Sequence, residues 1–178
     1  MSLLVKNEIW ALLILRTSIN DYEFSLERMT SFEGDTGPYL QYAHARLCSI
    51  SRKAGLTAED LESADLSLLT ESHAIDLVRV LTSWPDMVQQ TLKTLEPTTV
   101  LTYLFKMTHM LSSSYDVLQV VGSEPELMKA RMALYEAARQ VLNNGMKLLG
   151  LNPVERFVAS LPCHFVGGGH QSLTTYRM

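Results

Sequence analysis

The sequence predicts an all-α protein, a bundle of five helices around one core. Apolar residues recur at intervals of three and four along most of the chain, which places them on one face of a helix. No stretch of useful length alternates apolar and polar residues as a half-buried strand does. With 178 residues, of which 47% are hydrophobic and 19% charged, the chain is long enough to bury a single core.

The first helix is predicted to begin within residues 35–38, where Pro38 occupies a position at which its missing N–H has no cost. Gly55 is predicted to end this helix. An acidic connector over residues 57–65 is expected next. The apolar face of the helix is predicted to comprise Leu40, Ala43, Leu47 and Ile50.

Three helices are predicted in the centre of the chain. Thr70 is expected to cap the first of them, Pro85 to open the second, and the break at residues 96–98 to precede the third. Their predicted core-facing residues are Ala74, Leu77, Val78 and Leu81 in the first, Met87, Val88 and Leu92 in the second, and Val100, Leu101, Leu104, Met107 and Leu111 in the third.

The last predicted helix is also the longest. Ser123 is expected to cap it in a capping box closed by Glu126, and Gly150 to end it. Residues 152–153 are predicted to start one further turn. The apolar stripe of this helix is predicted to contain Leu127, Ala130, Leu134, Ala138, Val141 and Leu148.

Charge is distributed unevenly along the chain, whose net charge is −4. Residues 38–56 carry three basic residues and no acidic one, residues 57–98 carry eight acidic and two basic residues, and residues 125–156 carry five basic and three acidic residues. The net charge argues against binding of nucleic acid by bulk charge, and we expect no DNA partner. A local positive face forms if the two basic segments meet in the fold.

Membrane and metal sites are not indicated. The longest apolar run near the start spans only residues 9–15, far short of the ~20 residues that cross a bilayer, so no membrane partner is expected. His44 and Cys48 share one helix face, but two ligands do not make a zinc site, and we expect a buried cysteine beside a surface histidine. His73 and His109 are predicted to lie at the surface or its boundary.

Tyr39, Tyr42 and Arg46 lie at i, i+3 and i+7, so they share one face of the first helix. Tyrosine rings stack on unpaired bases, and arginine pairs with phosphate or stacks on a base. Boundary tyrosines that pack with their hydroxyl groups in water have the same spacing. Both interpretations stay open from the spacing alone, as they do for Tyr115 near the end of a helix.

Three long blocks of the sequence resemble the anticodon-binding region of arginyl-tRNA synthetases. They occur in order: residues 31–46, residues 102–106 with 112–118, and residues 129–150. The resemblance runs from about Ile19 to Arg156 and is similar in character to the cytosolic enzymes of fungi and other eukaryotes. It divides the chain into an unmatched extension over residues 1–18, a domain over residues 19–156 and an unmatched tail, expected to be disordered, over residues 157–178.

The resemblance implies an all-helical bundle of the DALR type that binds the anticodon of tRNA(Arg). It also implies that Tyr39, Tyr42, Arg46 and Tyr115 contact the anticodon loop, where they stack on and brace splayed bases. In this family a separate domain activates arginine with ATP and magnesium. The implied compartment is the cytoplasm, with the mitochondrion as an alternative.

The sequence departs from the family at both ends. No counterpart of the catalytic domain is found, so we expect no cofactor in this chain and no aminoacylation by the chain alone. Phe157 stands where relatives end in a methionine that approaches the anticodon, so Phe157 is a further candidate contact. The tail after it is a candidate obstruction of the site. A truncated gene, a split gene and an imperfect gene model all fit these ends.

Three functions are consistent with the sequence. The chain is the tRNA(Arg)-binding portion of an arginine–tRNA ligase, or one subunit of a split synthetase whose catalytic chain is separate, or a helical interaction fragment that no longer binds tRNA. The net charge of −4 favours the interaction fragment. The face that carries Tyr39, Tyr42 and Arg46 favours tRNA binding, and this feature has more weight because it is local to one site.

Overall fold

The computed structural model describes residues 35–156, and this part of the chain is helical without any strand. The five predicted helices are all present, joined by one short helix and one 3-10 turn that were not predicted. In chain order the elements are α1 (Gly37–Ala54), α2 (Ala58–Glu62), the 3-10 turn (Leu66–Leu68), α3 (Ser72–Thr82), α4 (Trp84–Thr94), α5 (Pro97–Ser114) and α6 (Pro125–Leu148).

Helices α5 and α6 form the centre of the bundle. Helix α6 packs against α1, α2, α3 and α5, and α5 packs against α1, α3 and α4 as well. Most of the predicted core faces inward, whereas Val78, Leu92 and Leu148 were predicted to do so and are 39%, 75% and 62% exposed. The largest fully buried apolar side chains include Leu40, Leu47, Leu77, Leu101, Leu104, Met107, Leu111, Met132, Tyr135, Leu142 and Met146.

Helix α1 begins and ends as the sequence predicts. The Thr36 side chain accepts a hydrogen bond from the backbone N–H of Tyr39 at 3.3 Å, and Pro38 lies in the first turn. Gly55 follows the last residue with φ of 63°, a left-handed conformation that favours glycine. These caps fix the residues at which α1 begins and ends.

The prediction of a connector over residues 57–65 is wrong, because the segment contains helix α2. The Thr57 side chain accepts a hydrogen bond from the N–H of Asp60, and the Asp60 carboxylate accepts one from the N–H of Thr57 at 2.9 Å. This reciprocal pair is a capping box closed by aspartate rather than glutamate. The Thr57 N–H and the Thr57 hydroxyl both donate to the Asp60 carboxylate, and these two bonds hold the pKa of Asp60 below its usual range.

Two predicted helix caps are also wrong. Glu71 and Glu124 occupy the cap positions of α3 and α6, and neither makes a side-chain cap bond. The Ser123 hydroxyl instead donates to the Gln119 carbonyl at 2.6 Å and accepts from Arg131 at 2.9 Å. The Ser123 hydroxyl is therefore bonded to Arg131, which also pairs with Glu71, and it does not form the capping box.

Residues 152–156 do not start another helical turn, contrary to the prediction. They run beside α1, where the Gln41 amide donates to the Asn152 carbonyl at 3.0 Å and accepts from the Val154 N–H at 2.9 Å. His44, predicted at the surface, is only 2% exposed, and its Nδ1 lies 2.9 Å from the Val154 carbonyl. The pairing of buried Gln41 and His44 with this backbone replaces the hydrogen bonds that a helical turn supplies.

Candidate nucleic-acid interface

Arg46 on α1 covers the ring of Tyr115, the residue that follows α5. The guanidinium carbon lies 4.0 Å from the ring centroid, within the range of a cation–π interaction. Tyr115 in turn meets Tyr135 of α6 edge to face, with the ring centroids 5.7 Å apart. Three elements therefore contribute to one stack, in which the buried Tyr135 lies below Tyr115 and the exposed Arg46 above it, and Arg46 marks the candidate surface.

The Tyr115 hydroxyl is buried and has no hydrogen-bond partner among residues 35–156. Burial raises the pKa of the Tyr115 phenol, and the positive charge of Arg46 opposes this rise only partly. The phenol therefore stays protonated at neutral pH, and its O–H is a donor without an acceptor. Tyr115 both packs and lies directly beneath the candidate surface, so the structure is compatible with both sequence-based interpretations of this residue.

Tyr39 and Tyr42 extend the surface along α1. Tyr42 is 43% exposed, whereas Tyr39 is half-buried and its hydroxyl lies 3.0 Å from the Ser112 hydroxyl and 3.3 Å from Nδ1 of His109. The structure thus places Tyr39, Arg46 and Tyr115 at the junction of α1 with the end of α5. Their contact with RNA stays a prediction, and Phe157 lies outside the described residues.

Sequence reasoning missed two residues at this junction. His109 Nε2 lies 2.8 Å from a carboxylate oxygen of Asp35, and the His109 ring packs against Tyr39 with 5.2 Å between ring centroids. Asp35 and His109 are 74 positions apart, so no local spacing pairs them. The one signal in the sequence is that His109 and Ser112 lie at i and i+3 of the predicted helix, which places them on the same face.

The two basic segments do meet, because α1 packs along α6. Three basic residues of α6 are nevertheless paired with carboxylates: Lys129 with Glu126, Arg131 with Glu71, and Arg139 with Glu136. The hydrogen bonds from Arg139 hold the pKa of Glu136 below its usual range. Positive charge at the candidate surface comes mainly from Arg46 on α1, and not from the whole of α6.

Within residues 35–156 no three histidine, cysteine, aspartate or glutamate side chains cluster as metal ligands would. Cys48 is buried as expected, and burial raises the pKa of its thiol. None of the helices in this part of the chain combines the length and hydropathy needed to cross a membrane.

The family model described as "DALR anticodon binding domain" matches residues 40–157, about two thirds of the chain. The chain belongs to this family. The prediction of a helical bundle of the DALR type is thereby confirmed, and the junction of α1 and α5 is part of a DALR domain.

Curated relatives of this DALR domain are named as arginine–tRNA ligases. The chain is 63% identical over 139 residues to the cytoplasmic arginine–tRNA ligase of Saccharomyces cerevisiae, a match that covers 78% of this chain and 23% of the relative. It is 50% identical over 139 residues to the mitochondrial enzyme of the same yeast. The resemblance found in the sequence is confirmed, and the chain spans about a quarter of the length of these relatives.

Solved structures give the same result. The fold matches Thermus thermophilus arginyl-tRNA synthetase with a TM-score of 0.80 and 26% identity, covering 87% of this chain and 27% of the other. The Plasmodium falciparum enzyme matches with a TM-score of 0.77 and 27% identity. The DALR domain described here therefore has the architecture of one part of these larger synthetases.

Proposed function

We propose that this chain binds the anticodon loop of tRNA(Arg) at the junction of α1 and α5. The observation that carries the proposal is the layered contact of Arg46 with Tyr115 beside two further tyrosines of α1, within a DALR domain. Unpaired loop bases stack on tyrosine rings, and the guanidinium of Arg46 is able to stack or to pair with phosphate. In this proposal Tyr39, Tyr42, Arg46 and Tyr115 form the binding surface, with Phe157 as a further contact.

Stacking, rather than bulk charge, supplies the affinity in this proposal. Each base–aromatic contact is worth about 1–3 kcal/mol, and the sequence carries a net charge of −4 that weakens attraction to phosphate. Arg46 has a planar guanidinium, which lysine does not share. The identity of this one side chain therefore distinguishes stacking from simple charge attraction.

The test measures binding of the full chain to arginine tRNA by fluorescence anisotropy. We expect Tyr42→Ala and Arg46→Ala to weaken binding about tenfold or more, following the stacking energies above. Arg46→Lys keeps the charge but should recover little affinity. The control is Arg79→Ala, because Arg79 is an exposed arginine of α3 whose ion pair is with Asp76 in its own helix. If all four variants bound arginine tRNA with the same affinity as one another, the proposal would be contradicted.

The wider role of the chain is also proposed. Its relatives are arginine–tRNA ligases, so we infer that it takes part in ATP-dependent aminoacylation together with a catalytic domain, whether on the same or a separate polypeptide. ATP and magnesium belong to that domain. Restoration of arginylation when a catalytic fragment is added in trans supports this role, and failure of restoration with a fragment of demonstrated ATP binding contradicts it.

Bounds and compartment are further parts of the proposal. We take residues 19–156 as the functional unit, flanked by extensions over residues 1–18 and 157–178. Removal of residues 1–18 and 158–178 without loss of tRNA binding supports this division and leaves the candidate contact Phe157 in place. The higher identity to the cytoplasmic than to the mitochondrial yeast enzyme favours the cytoplasm.

A further inference from the structure

Four polar side chains form a continuous chain of contacts at the edge of the proposed surface. The Ser112 hydroxyl lies 3.0 Å from the Tyr39 hydroxyl, which lies 3.3 Å from Nδ1 of His109. His109 Nε2 lies 2.8 Å from the Asp35 carboxylate. The contacts join the residue before the cap of α1 to the last two turns of α5.

The chemistry of these groups sets the direction of the hydrogen bonds. The Asp35 carboxylate only accepts, so Nε2 of His109 must carry a hydrogen. In the neutral imidazole Nδ1 is then an acceptor, and the Tyr39 hydroxyl donates to it. The Tyr39 oxygen remains free to accept from Ser112. Each polar hydrogen in the chain from Ser112 to Asp35 is thus donated once.

This network restrains the Tyr39 ring. Its hydroxyl is held at two points, and the tilted His109 ring packs against it with 5.2 Å between the centroids. A side chain that is already ordered loses less conformational freedom when a ligand binds. Exposed pairs such as Asp35 with His109, whose side chains are both 54% exposed, contribute little to folding stability.

We propose that Asp35 and His109 are positioning residues for RNA binding, which hold the Tyr39 ring in the orientation that stacks on an unpaired base. The proposal rests on the proposed function. It explains why an acidic residue lies at a face that should attract phosphate. Simple electrostatics predicts that loss of Asp35 strengthens RNA binding, whereas positioning predicts that it weakens binding.

The experiment titrates fluorescein-labelled arginine tRNA with the full chain. We expect His109→Ala and Asp35→Ala each to weaken binding about fivefold, as ordering of one side chain on binding implies. Asp35→Asn retains an oxygen that accepts from Nε2, so it should bind at least as tightly as the unaltered chain. His73→Ala removes a histidine of α3 and is the matched control. Thermal unfolding checks that all variants are folded.

A double substitution separates positioning from direct contact. In a Tyr39→Ala background, His109→Ala should cause no further loss, because His109 acts through Tyr39. An equal loss in both backgrounds would mean that His109 contacts RNA itself, and would overturn the proposal. So would unchanged affinity of His109→Ala, or tighter binding by Asp35→Ala. Unchanged affinity of Tyr39→Ala together with Tyr42→Ala and Arg46→Ala instead refutes the proposed function.

Discussion

Two neighbouring tyrosines differ in how their hydroxyl groups are satisfied. Tyr135 donates to the Leu118 carbonyl at 3.2 Å and lies 3.1 Å from the Ser114 hydroxyl. The Tyr115 hydroxyl is buried and has no partner among the described residues. A buried polar group without a partner keeps its desolvation penalty, which is about 1–3 kcal/mol. The two rings touch, but their hydroxyl groups have opposite effects on stability.

Replacement of each tyrosine by phenylalanine tests this difference. Tyr115→Phe removes an unpaired hydroxyl, so the free energy of unfolding should stay the same or rise. Tyr135→Phe leaves a buried Leu118 carbonyl unpaired and should lower it by about 1 kcal/mol. Urea unfolding of the two variants and the unaltered chain measures both. Destabilisation by Tyr115→Phe as large as that by Tyr135→Phe would refute the assignment.

His44 is a buried histidine held in its neutral form. Nδ1 donates to the Val154 carbonyl, and Nε2 is buried without a partner among the described residues. Burial lowers the pKa of His44 below its ordinary value of 6.5, and Arg139 lowers it further. The bond to Val154 and the charges of Glu155 and Glu136 oppose this shift. The folded chain therefore takes up a proton at lower pH than the unfolded chain does.

Stability should therefore depend on pH through His44. Because the folded pKa is depressed, the unfolded state binds more protons as the pH falls through 6.5, and the free energy of unfolding falls with it. Above about pH 7 this dependence disappears. His44→Asn keeps a donor for Val154 without a titratable group. Its unfolding free energy should change less between pH 7 and pH 5.5, and an identical pH profile would contradict the assignment.

At the scale of elements, the bonds of Gln41 attach the segment after α6 to α1. Gln41 is 2% exposed, and its amide donates to the carbonyl of Asn152 and accepts from the N–H of Val154. These are the two kinds of hydrogen bond that a neighbouring β-strand makes. Arg52 adds a weaker contact of 3.3 Å to the Glu155 carbonyl. The course of residues 152–156 beside α1 depends on these contacts.

Gln41→Ala should loosen this segment. Two backbone groups lose their partners, and the expected destabilisation is about 2 kcal/mol. Hydrogen exchange at the Val154 amide should accelerate more than exchange at the amides of α1. Gln89→Ala, at an exposed glutamine of α4, is the control and should change stability by less than about 0.5 kcal/mol. Unchanged exchange at Val154 would show that Gln41 does not hold the segment.

Helices α5 and α6 approach closely at Gly145. A Cβ atom added there would lie 2.6 Å and 2.9 Å from the two methyl carbons of Leu104, which is fully buried. Alanine favours a helix over glycine by about 1 kcal/mol, whereas overpacking of a core costs about 1–3 kcal/mol. The steric term is the larger one because Leu104 is enclosed on all sides.

Gly145→Ala should therefore destabilise the chain by about 1 kcal/mol. The double variant Gly145→Ala, Leu104→Ala removes the clash, so its stability should exceed that expected from adding the two single effects. Thermal or urea unfolding of the three variants measures the coupling. Strict additivity would mean that the helices separate enough to accept the methyl group.

Over the whole molecule, the sequence predicts the helices better than their junctions. Helix α1 follows from Thr36, Pro38 and Gly55, all of which act within a few residues. The cap expected at Ser123 fails because Arg131, eight positions away, takes the serine hydroxyl. His44 was expected at the surface because the segment that covers it lies 110 positions along the chain. Local signals set helix bounds, whereas contacts between distant residues decide burial.

The candidate surface shows the same division. The face shared by Tyr39, Tyr42 and Arg46 follows from helical spacing, and the resemblance assigned Tyr115, already a candidate near a helix end, to the same site. The packing of Arg46 on Tyr115 and the bonds of Asp35 to His109 join residues far apart in sequence. These contacts depend on how α1 meets the end of α5, which no spacing rule supplies. The pairing of Arg131 on α6 also appears only once Glu71 is brought beside it.

The central claim is that the junction of α1 and α5 recognises an anticodon loop. The most direct test titrates the full chain, at low salt, with arginine tRNA and with the same tRNA carrying an altered anticodon loop, and follows binding by fluorescence anisotropy. Our account predicts tighter binding to the natural loop. Equal binding to both tRNAs, or no binding to either, would contradict it.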